Sequence, residues 1–314
     1  MGVFGTDQKT KEAFQSSIAK KSEAEGIAVY HRTEGGRRYS FLDTTDYPNR
    51  VQGYARIASI CDHALYLFPK SGKLSQPDGE LAVLLESFGI PGTLELIDGS
   101  VFPTTAGFAL KGTVLSSYRV EERPLASSSI DLSHARSRED WPSGGTLVYV
   151  DRVFTVKGAG TVALGFVLSG TVSVHTQLRP VPGQEDFTVD VKGIQVNDVD
   201  VDSANRGMRV GLLLRGVDAK ELEKSHWLDD GNFELSDTPT FRLEKSRYYR
   251  QEVLERDVHI QLPGEMLPAR LSAMGTSTVS ASLPVRVPVW EGLRATIIDL
   301  NGKVLRIAGG ATLC

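Results

Sequence analysis

Residues 146–156 read TLVYVDRVFTV and residues 160–170 read GTVALGFVLSG; FTVDVKGIQV follows at 187–196 and RVGLLLRGV at 209–217. Each segment is rich in β-branched and aliphatic residues and is bounded by Gly or Pro-Gly. That is the pattern of short strands that pack into a small barrel or sandwich. Beyond Gly145 no helical period of any length interrupts it, apart from a turn around Ala219 to Glu223. A second β unit begins after Trp227, where Asp229-Asp230-Gly231-Asn232 form a turn cluster. Strands then recur at FRLEKS, DVHIQL, ARLSAMG, TVSASLPVRVPV and ATIIDL. No repeat of fixed period links the two units, which argues against a solenoid or propeller.

Towards the N-terminus the texture changes. Val3-Phe4 is a stub of strand before Gly5, and residues 10 to 22 carry a helix-like pattern with Phe14 and Ile18 on one side. Residues 37 to 42 read as a strand, Ala55 to Ile60 as helix, Ala64 to Phe68 as strand, Leu81 to Phe88 as helix and Leu94 to Ile97 as strand. Alternating strand and helix predicts a parallel sheet covered on both faces. Residues 124 to 145, rich in Ser, Pro, Gly and charge, are the expected joint, with SIDLSHARSRED able to form one short exposed helix. The expected fold class is therefore α/β plus all-β. A small α/β domain spans residues 1–125, a linker 126–145, and two β-barrels span 146–230 and 231–314.

Composition bounds the function. The 314 residues hold 35 Lys plus Arg against 39 Asp plus Glu, a net charge of −4. A diffuse basic attraction to nucleic acid is thereby excluded, and RNA binding would need a local patch. Neither half is basic, with 16 basic and 18 acidic side chains in residues 1–142 and 19 and 21 in the remainder. Two cysteines, Cys61 and Cys314, make no disulfide framework, and with no apolar leader at Met1 the expectation is a cytoplasmic protein. The longest apolar stretch, Ile57 to Leu67, is broken by Asp62 and His63, so no helical membrane span is expected. The six histidines stand too far apart for metal-site spacing, and no metal is expected.

Within 150–228 the blocks Val150-Asp151-Arg152-Val153-Phe154-Thr155-Val156-Lys157-Gly158-Ala159-Gly160-Thr161-Val162, Gly165, Leu168-Ser169-Gly170, Gly193-Ile194-Gln195, Ala204, Gly207, Arg209-Val210-Gly211 and Leu214-Arg215-Gly216-Val217 stand in order. This stretch resembles domain II of the elongation factor Tu superfamily, most of all that of the archaeal-type selenocysteine-specific elongation factors. The resemblance implies a GTPase domain ahead of it, and the N-terminal unit fits in outline while losing the chemistry.

A P-loop, G-x-x-x-x-G-K-[ST], wraps phosphate in backbone amides and offers it a Lys, and the hydroxyl holds Mg²⁺. With Gly5 first, Thr10 replaces the second Gly, Lys11 is kept and Glu12 stands at the hydroxyl position. The family's switch II, D-T-P-G-H, corresponds to Asp43-Thr44-Thr45-Asp46-Tyr47, so Asp46 replaces the Gly that senses γ-phosphate and Tyr47 the His that positions water. The guanine-reading N-K-x-D is reduced to Asp98. Only 31 residues separate Lys11 from Asp43, too few for a full effector loop, in which Thr33 is the nearest candidate for the Mg²⁺-binding Thr. Gly5, Lys11 and Asp43 thus mark a vestigial GTP and Mg²⁺ site. No cofactor is expected, GTP and Mg²⁺ would bind weakly if at all, and GTPase activity should be negligible.

Each residue also has a plainer reading. Lys11 could be an ordinary Lys of an exposed helix, and Asp43 a strand-end carboxylate capping the next turn. By the resemblance Asp151 and Arg152 help form an aminoacyl pocket; otherwise they are an ion pair on a barrel strand. Arg247 and Arg250, between Arg242, Lys245 and Arg256 with Tyr248 and Tyr249, could hold tRNA phosphates, although Glu244, Glu252 and Glu255 suit a solvated strand and turn. The expected function is that of a selenocysteine-factor paralogue binding tRNA or a translation component, with no DNA and no membrane partner. The alternatives are a GTP-binding factor with an altered site and a protein-binding scaffold without RNA. The chain ends at Cys314 with the third unit, so the further C-terminal domain of selenocysteine factors is not expected, and the oligomeric state is not specified.

Overall fold

The computed structural model describes residues 1–18, 20–24, 26–34, 36–97, 110–123, 132, 135, 138–184 and 186–314. The first domain runs β1 (Gly2–Phe4), α1 (Gln8–Ile18), β2 (Lys20–Ala24), β3 (Ile27–Glu34), β4 (Arg37–Asp43), α2 (Gln52–Ile60), β5 (Ala64–Leu67), α3 (Gln76–Phe88), β6 (Gly92–Ile97) and β7 (Arg119–Arg123). Its seven strands lie in the order β2-β3-β4-β1-β5-β6-β7. Neighbouring residues of the central strands feed opposite faces, as the two-residue period of a strand demands. Phe4, Leu42 and Tyr66 face the layer of α2 and α3 with Tyr54, Ile57, Leu84 and Phe88, while Val3, Phe41 and Leu65 pack with Phe14 of α1.

Two expectations are corrected here. The sheet is mixed: β1, β4, β5, β6 and β7 run parallel, but β2-β3-β4 is an antiparallel meander at one edge. The first helix ends at Ile18 instead of continuing to residue 22, because Lys20–Ala24 pair with Ile27–His31 as a hairpin strand. The helix-like composition of that stretch concealed it. Gly26 at φ +69° and Gly36 at φ +76° turn the meander. Asp98 and most of the expected joint, including its short helix, lie outside the described residues.

The first barrel contains β8 (Leu147–Val156), β9 (Gly160–Ser169), β10 (Thr171–Ser173), β11 (Gln177–Val181), β12 (Val189–Val196), β13 (Val199–Val201), β14 (Ser203–Asn205), β15 (Arg209–Arg215), α4 (Ala219–Leu222) and β16 (Trp227–Asp229). The sheet order β11-β16-β8-β9-β15-β12-β13 is closed by a further β11–β12 pairing. Val148, Val167, Leu178, Val191, Val210, Leu212 and Leu228 fill it. The second barrel adds β17 (Glu234–Ser236), β18 (Thr240–Lys245), β19 (Asp257–Gln261), β20 (Met266–Ala273), β21 (Thr278–Ser282), β22 (Val287–Val289), β23 (Arg294–Ile298) and β24 (Ile307–Leu313). Six of these close as β18-β21-β20-β19-β23-β24.

One apolar cluster crosses all three units: Leu84, Leu85 and Phe88 of α3, Tyr149 and Trp227 of the first barrel, and Ala295, Ile297 and Ile307 of the second belong to it. Among the described residues no helix is long and apolar enough to cross a membrane.

Candidate functional site

The loop after β1 brings Gly5 and Asp7, and the first turn of α1 brings Thr10 and Lys11, to the carboxyl edge of the sheet, beside Asp43 at the end of β4. Lys11 is not exposed. Its side chain is about 2% accessible, and its Nζ donates to Asp43 Oδ1 at 2.9 Å, the Thr44 carbonyl at 3.2 Å and the Tyr54 hydroxyl oxygen at 2.5 Å. An ammonium has three protons, and here three acceptors take them. Tyr54, from α2, in turn donates to Asp43 Oδ1 at 2.9 Å. Asp43 is therefore the partner of Lys11 and Tyr54 and not the cap of a turn. Burial pushes the Lys11 ammonium below its usual pKa, against the pull of Asp43, and drives the Tyr54 phenol well up.

The positive end of α1 is also occupied. Asp7 accepts from the Thr10 amide at 3.2 Å and the Thr10 hydroxyl at 2.7 Å, the arrangement of a helix N-cap. The Thr10 hydroxyl holds the Asp7 carboxyl below its usual range. Glu12 is exposed and accepts from Gln8 Nε2 instead of entering the corner. Tyr47, in the place of the family's His, donates to the Pro77 carbonyl at 2.6 Å and to Glu80 Oε2 at 3.3 Å, so its hydroxyl is tied to α3. Thr33 pairs with Arg38, five residues along the hairpin from the Ala28–Asp43 pair, roughly 16 Å from Asp43 at strand rise. The residues present thus offer a phosphate none of Lys11's donors and a helix terminus already capped by a carboxylate. They do not fit GTP and Mg²⁺ in this arrangement.

The second constellation lies on the first barrel. Val150 pairs with Gly165 and Arg152 with Leu164, which leaves Asp151 as the extra residue of a β-bulge. Bulges re-aim side chains, and this one is possible because the opposing residue is Gly165, where a Cβ would fall 1.9 Å from the Tyr149 carbonyl oxygen. Asp151 pairs with Arg209 of β15. Its Oδ2 accepts from Arg209 Nη2 at 3.2 Å, with both side chains about nine-tenths buried. The Arg209 guanidinium also stands 5.8 Å from the Phe166 ring centroid. Asp151 Oδ1 and Arg209 Nε are both buried without a hydrogen-bond partner among the described residues. Burial raises the Asp151 pKa, and burial, then Arg209, lowers that of His31 across the gap on β3.

The sequence profile of the elongation factor Tu domain 2 family matches residues 160–228. A bacterial selenocysteine-specific elongation factor superposes with a TM-score of 0.83 at 17% identity, covering 99% of this chain and 57% of that one. The factor SelB of Methanococcus maripaludis superposes at 0.81 in complex with the GTP analogue GppNHp and at 0.75 in its apo form, each at 20% identity over 99% of this chain and 78% of that one. In sequence, an uncharacterized protein of Methanocaldococcus jannaschii is 25% identical over 98% of this chain and 97% of its own length. The selenocysteine-specific elongation factor of Mus musculus is 33% identical over 109 residues, 35% of this chain and 18% of that factor. The chain therefore has the fold of the selenocysteine-specific elongation factors, and residues 160–228 of its first barrel match the elongation factor Tu domain 2 profile.

Beside domain 2 a cleft of about 580 Å³ separates it from the first domain, lined among others by Tyr39, Asp62, His63, Trp141, Phe166 and Arg206. Trp141 Nε1 and Arg206 Nη2 donate to Asp62 Oδ1 at 3.0 and 2.7 Å. His63 is 3% accessible with Nδ1 unpartnered among the described residues, and burial pushes its pKa down to about 4. Arg247 and Arg250 lie elsewhere, in the turn after β18. Arg247 donates to the Gly112 carbonyl and its guanidinium stands 4.8 Å from the Tyr248 ring centroid, whereas Arg250 is exposed. The structure brings Gly5, Lys11 and Asp43 together and Asp151 to Arg209. Sequence reasoning missed Asp7, Tyr54 and Arg209 as site members. Asp7 carries a signal, an Asp placed as N-cap three residues before Thr10; the pairings of Tyr54 and Arg209 depend on tertiary contacts. Among the described residues no group of three or more His, Cys, Asp or Glu could hold a metal ion.

Proposed function

We propose that this is an elongation-factor-like protein that holds the aminoacyl end of a tRNA between its first domain and domain 2, without hydrolysing GTP. The observation that carries the reading is the pair of unpartnered buried atoms beside the Asp151–Arg209 contact, an acceptor at Asp151 Oδ1 and a donor at Arg209 Nε. Unpaired buried polar atoms cost free energy that a complementary ligand recovers. An aminoacyl ester presents a charged ammonium donor and a carbonyl acceptor, whereas a deacylated end offers only its ribose hydroxyls, which carry no charge to answer the Asp151 carboxylate. Lys11 supports the second half of the reading, since it would have to abandon three partners to meet a phosphate.

Filter binding of aminoacylated and deacylated tRNA, without nucleotide, tests this directly. The expected result is preferential binding of the aminoacylated form, lost in Asp151→Asn and Arg209→Ala. Equal binding of the two forms would remove the aminoacyl pocket, and absence of binding to either would leave the barrels to protein contacts. Submicromolar GTP binding abolished by Lys11→Ala would make the chain a nucleotide-dependent factor.

A further inference from the structure

Arg306, just before β24 in the second barrel, reaches into the first domain. Its backbone N–H and Nε donate to Glu80 Oε1 at 2.9 and 3.0 Å and its Nη2 to Glu80 Oε2 at 2.5 Å. The same guanidinium donates through Nη1 to the Asn49 carbonyl at 3.2 Å and through Nη2 to the Pro48 carbonyl at 3.0 Å. It also stands 5.8 Å from the Tyr47 ring centroid. Glu80 is 6% accessible in its side chain and Arg306 18%. Every donating nitrogen of Arg306 is thus committed to residues of α3 or of the segment after Asp43. That segment is the one whose rearrangement a nucleotide-driven switch would need.

The contact is not isolated. On the far side of the same interface, Ser59 Oγ at the end of α2 accepts from Gly264 N–H at 2.9 Å and from Gln261 Nε2 at 3.3 Å. At Gly310 of β24 an added Cβ would lie 2.7 Å from the Ser87 carbonyl oxygen, so α3 and the barrel meet backbone to backbone. Tyr47 also packs edge-on to Tyr54 at 5.2 Å, and Tyr54 packs on Phe4 at 5.0 Å. An aromatic row therefore joins the Lys11–Asp43 pair to the Arg306–Glu80 pair. A rotation of the second barrel away from the first domain would strand a buried carboxylate at Glu80 and open apolar contacts at α3 together.

We infer that Arg306, Glu80 and Tyr47 form an interdomain lock that keeps the segment after Asp43, α3 and the second barrel in one arrangement, whatever occupies the nucleotide corner. The inference goes beyond ligand recognition in domain 2, because the lock could hold with or without a tRNA ligand. Packed interfaces are bistable only where two arrangements have comparable free energy. Here the second arrangement would leave Glu80 without its cation.

Pulsed dipolar spectroscopy tests it, with spin labels at Ser16→Cys in α1 and Met274→Cys in the second barrel, in a Cys314→Ser background that leaves buried Cys61 in place. A single narrow distance distribution is expected, unchanged by GppNHp, GDP or tRNA. Arg306→Ala should broaden it or add a second population, and Arg306→Lys, which keeps a charge for Glu80 but loses the carbonyl contacts, should do so to a smaller degree. A shift of the unsubstituted chain on adding nucleotide would overturn the lock, as would an unchanged distribution in folded Arg306→Ala. If Arg306→Ala does not fold, Arg306→Lys and the nucleotide series still decide. The outcome is separable from the tRNA reading: a chain that binds no tRNA and keeps one distance retains the lock, and a chain that binds tRNA while its distance moves loses it.

Discussion

Lys11 Nζ stands 2.9 Å from Asp43 Oδ1, and both side chains are about 2% accessible or less. A P-loop lysine would face a ligand's phosphates, but this one is sealed against the carboxylate of its own chain. The consequence is structural. A lysine that serves a nucleotide can be removed with little effect on the empty fold; a lysine that neutralises a buried carboxylate cannot.

Lys11→Ala should therefore lower stability by about 3–5 kcal/mol, the usual cost of stranding one member of a buried pair. The double substitution Lys11→Met with Asp43→Leu should recover most of the loss, because apolar replacement of both partners removes the unpaired charge. Urea unfolding of the three chains checks this. A Lys11→Ala chain as stable as the parent would show the pair to be dispensable and the lysine free for another task.

The two barrels were legible because their strands are β-branched runs closed by Gly, as at Gly158 and Gly160, where φ is +81° and +126°. The grouping of Gly5, Lys11 and Asp43 was legible as positions along the chain. Their partners were not, since Tyr54 reaches Lys11 from 43 residues away and nothing local in the helix QGYARIASI announces a buried hydrogen bond. Lys20–Ala24 failed for the opposite reason, because charged residues and Ala suit a helix until Ile27–His31 offers a ladder. The Asp151 bulge is a register event: only the offset of β8 against β9 sets Asp151 beside Arg209, and neither strand's composition encodes it.

His63 should make stability fall with acidity in a defined window. Its folded pKa is about 4 and its ordinary value 6.5. Between those values the unfolded chain binds a proton that the folded chain refuses, so stability declines as pH drops from 6.5 to about 4. The full loss from this residue is about 3 kcal/mol. His31 and His226, both lowered by burial, act with the same sign. Urea midpoints between pH 7.5 and pH 4.5 should fall less steeply in His63→Gln than in the parent, and parallel slopes would discount the buried imidazole.

Gly264 joins the two barrels and α2. Its φ is +90°, an added Cβ would sit 2.1 Å from the Tyr149 ring, and its N–H binds Ser59 Oγ. Gly264→Ala should cost about 1–3 kcal/mol through overpacking alone, with backbone strain added. Tyr149→Ala in the same chain should relieve the clash and leave the strain. Thermal melts of the single and double variants separate the two parts, and a Gly264→Ala chain melting with the parent would mean that the barrels move apart freely.

On the tRNA reading, Arg152, Arg247 and Arg250 should fail in different ways. Arg250 is exposed, so Arg250→Ala should remove about one phosphate contact and reduce the slope of log K against log salt by roughly 0.7 to 0.9. Arg247 is also tied to the Gly112 carbonyl and to Tyr248. Arg247→Ala should show the same change of slope together with a loss of affinity that salt does not alter, since it frees a loop as well as a charge. Arg152→Ala, beside the Asp151 bulge, should weaken aminoacylated tRNA more than deacylated tRNA. Filter binding across a salt series distinguishes the three: equal slopes in all variants and the parent would place the RNA backbone elsewhere on the molecule, and an Arg152→Ala loss shared by both tRNA forms would take that residue out of the aminoacyl pocket.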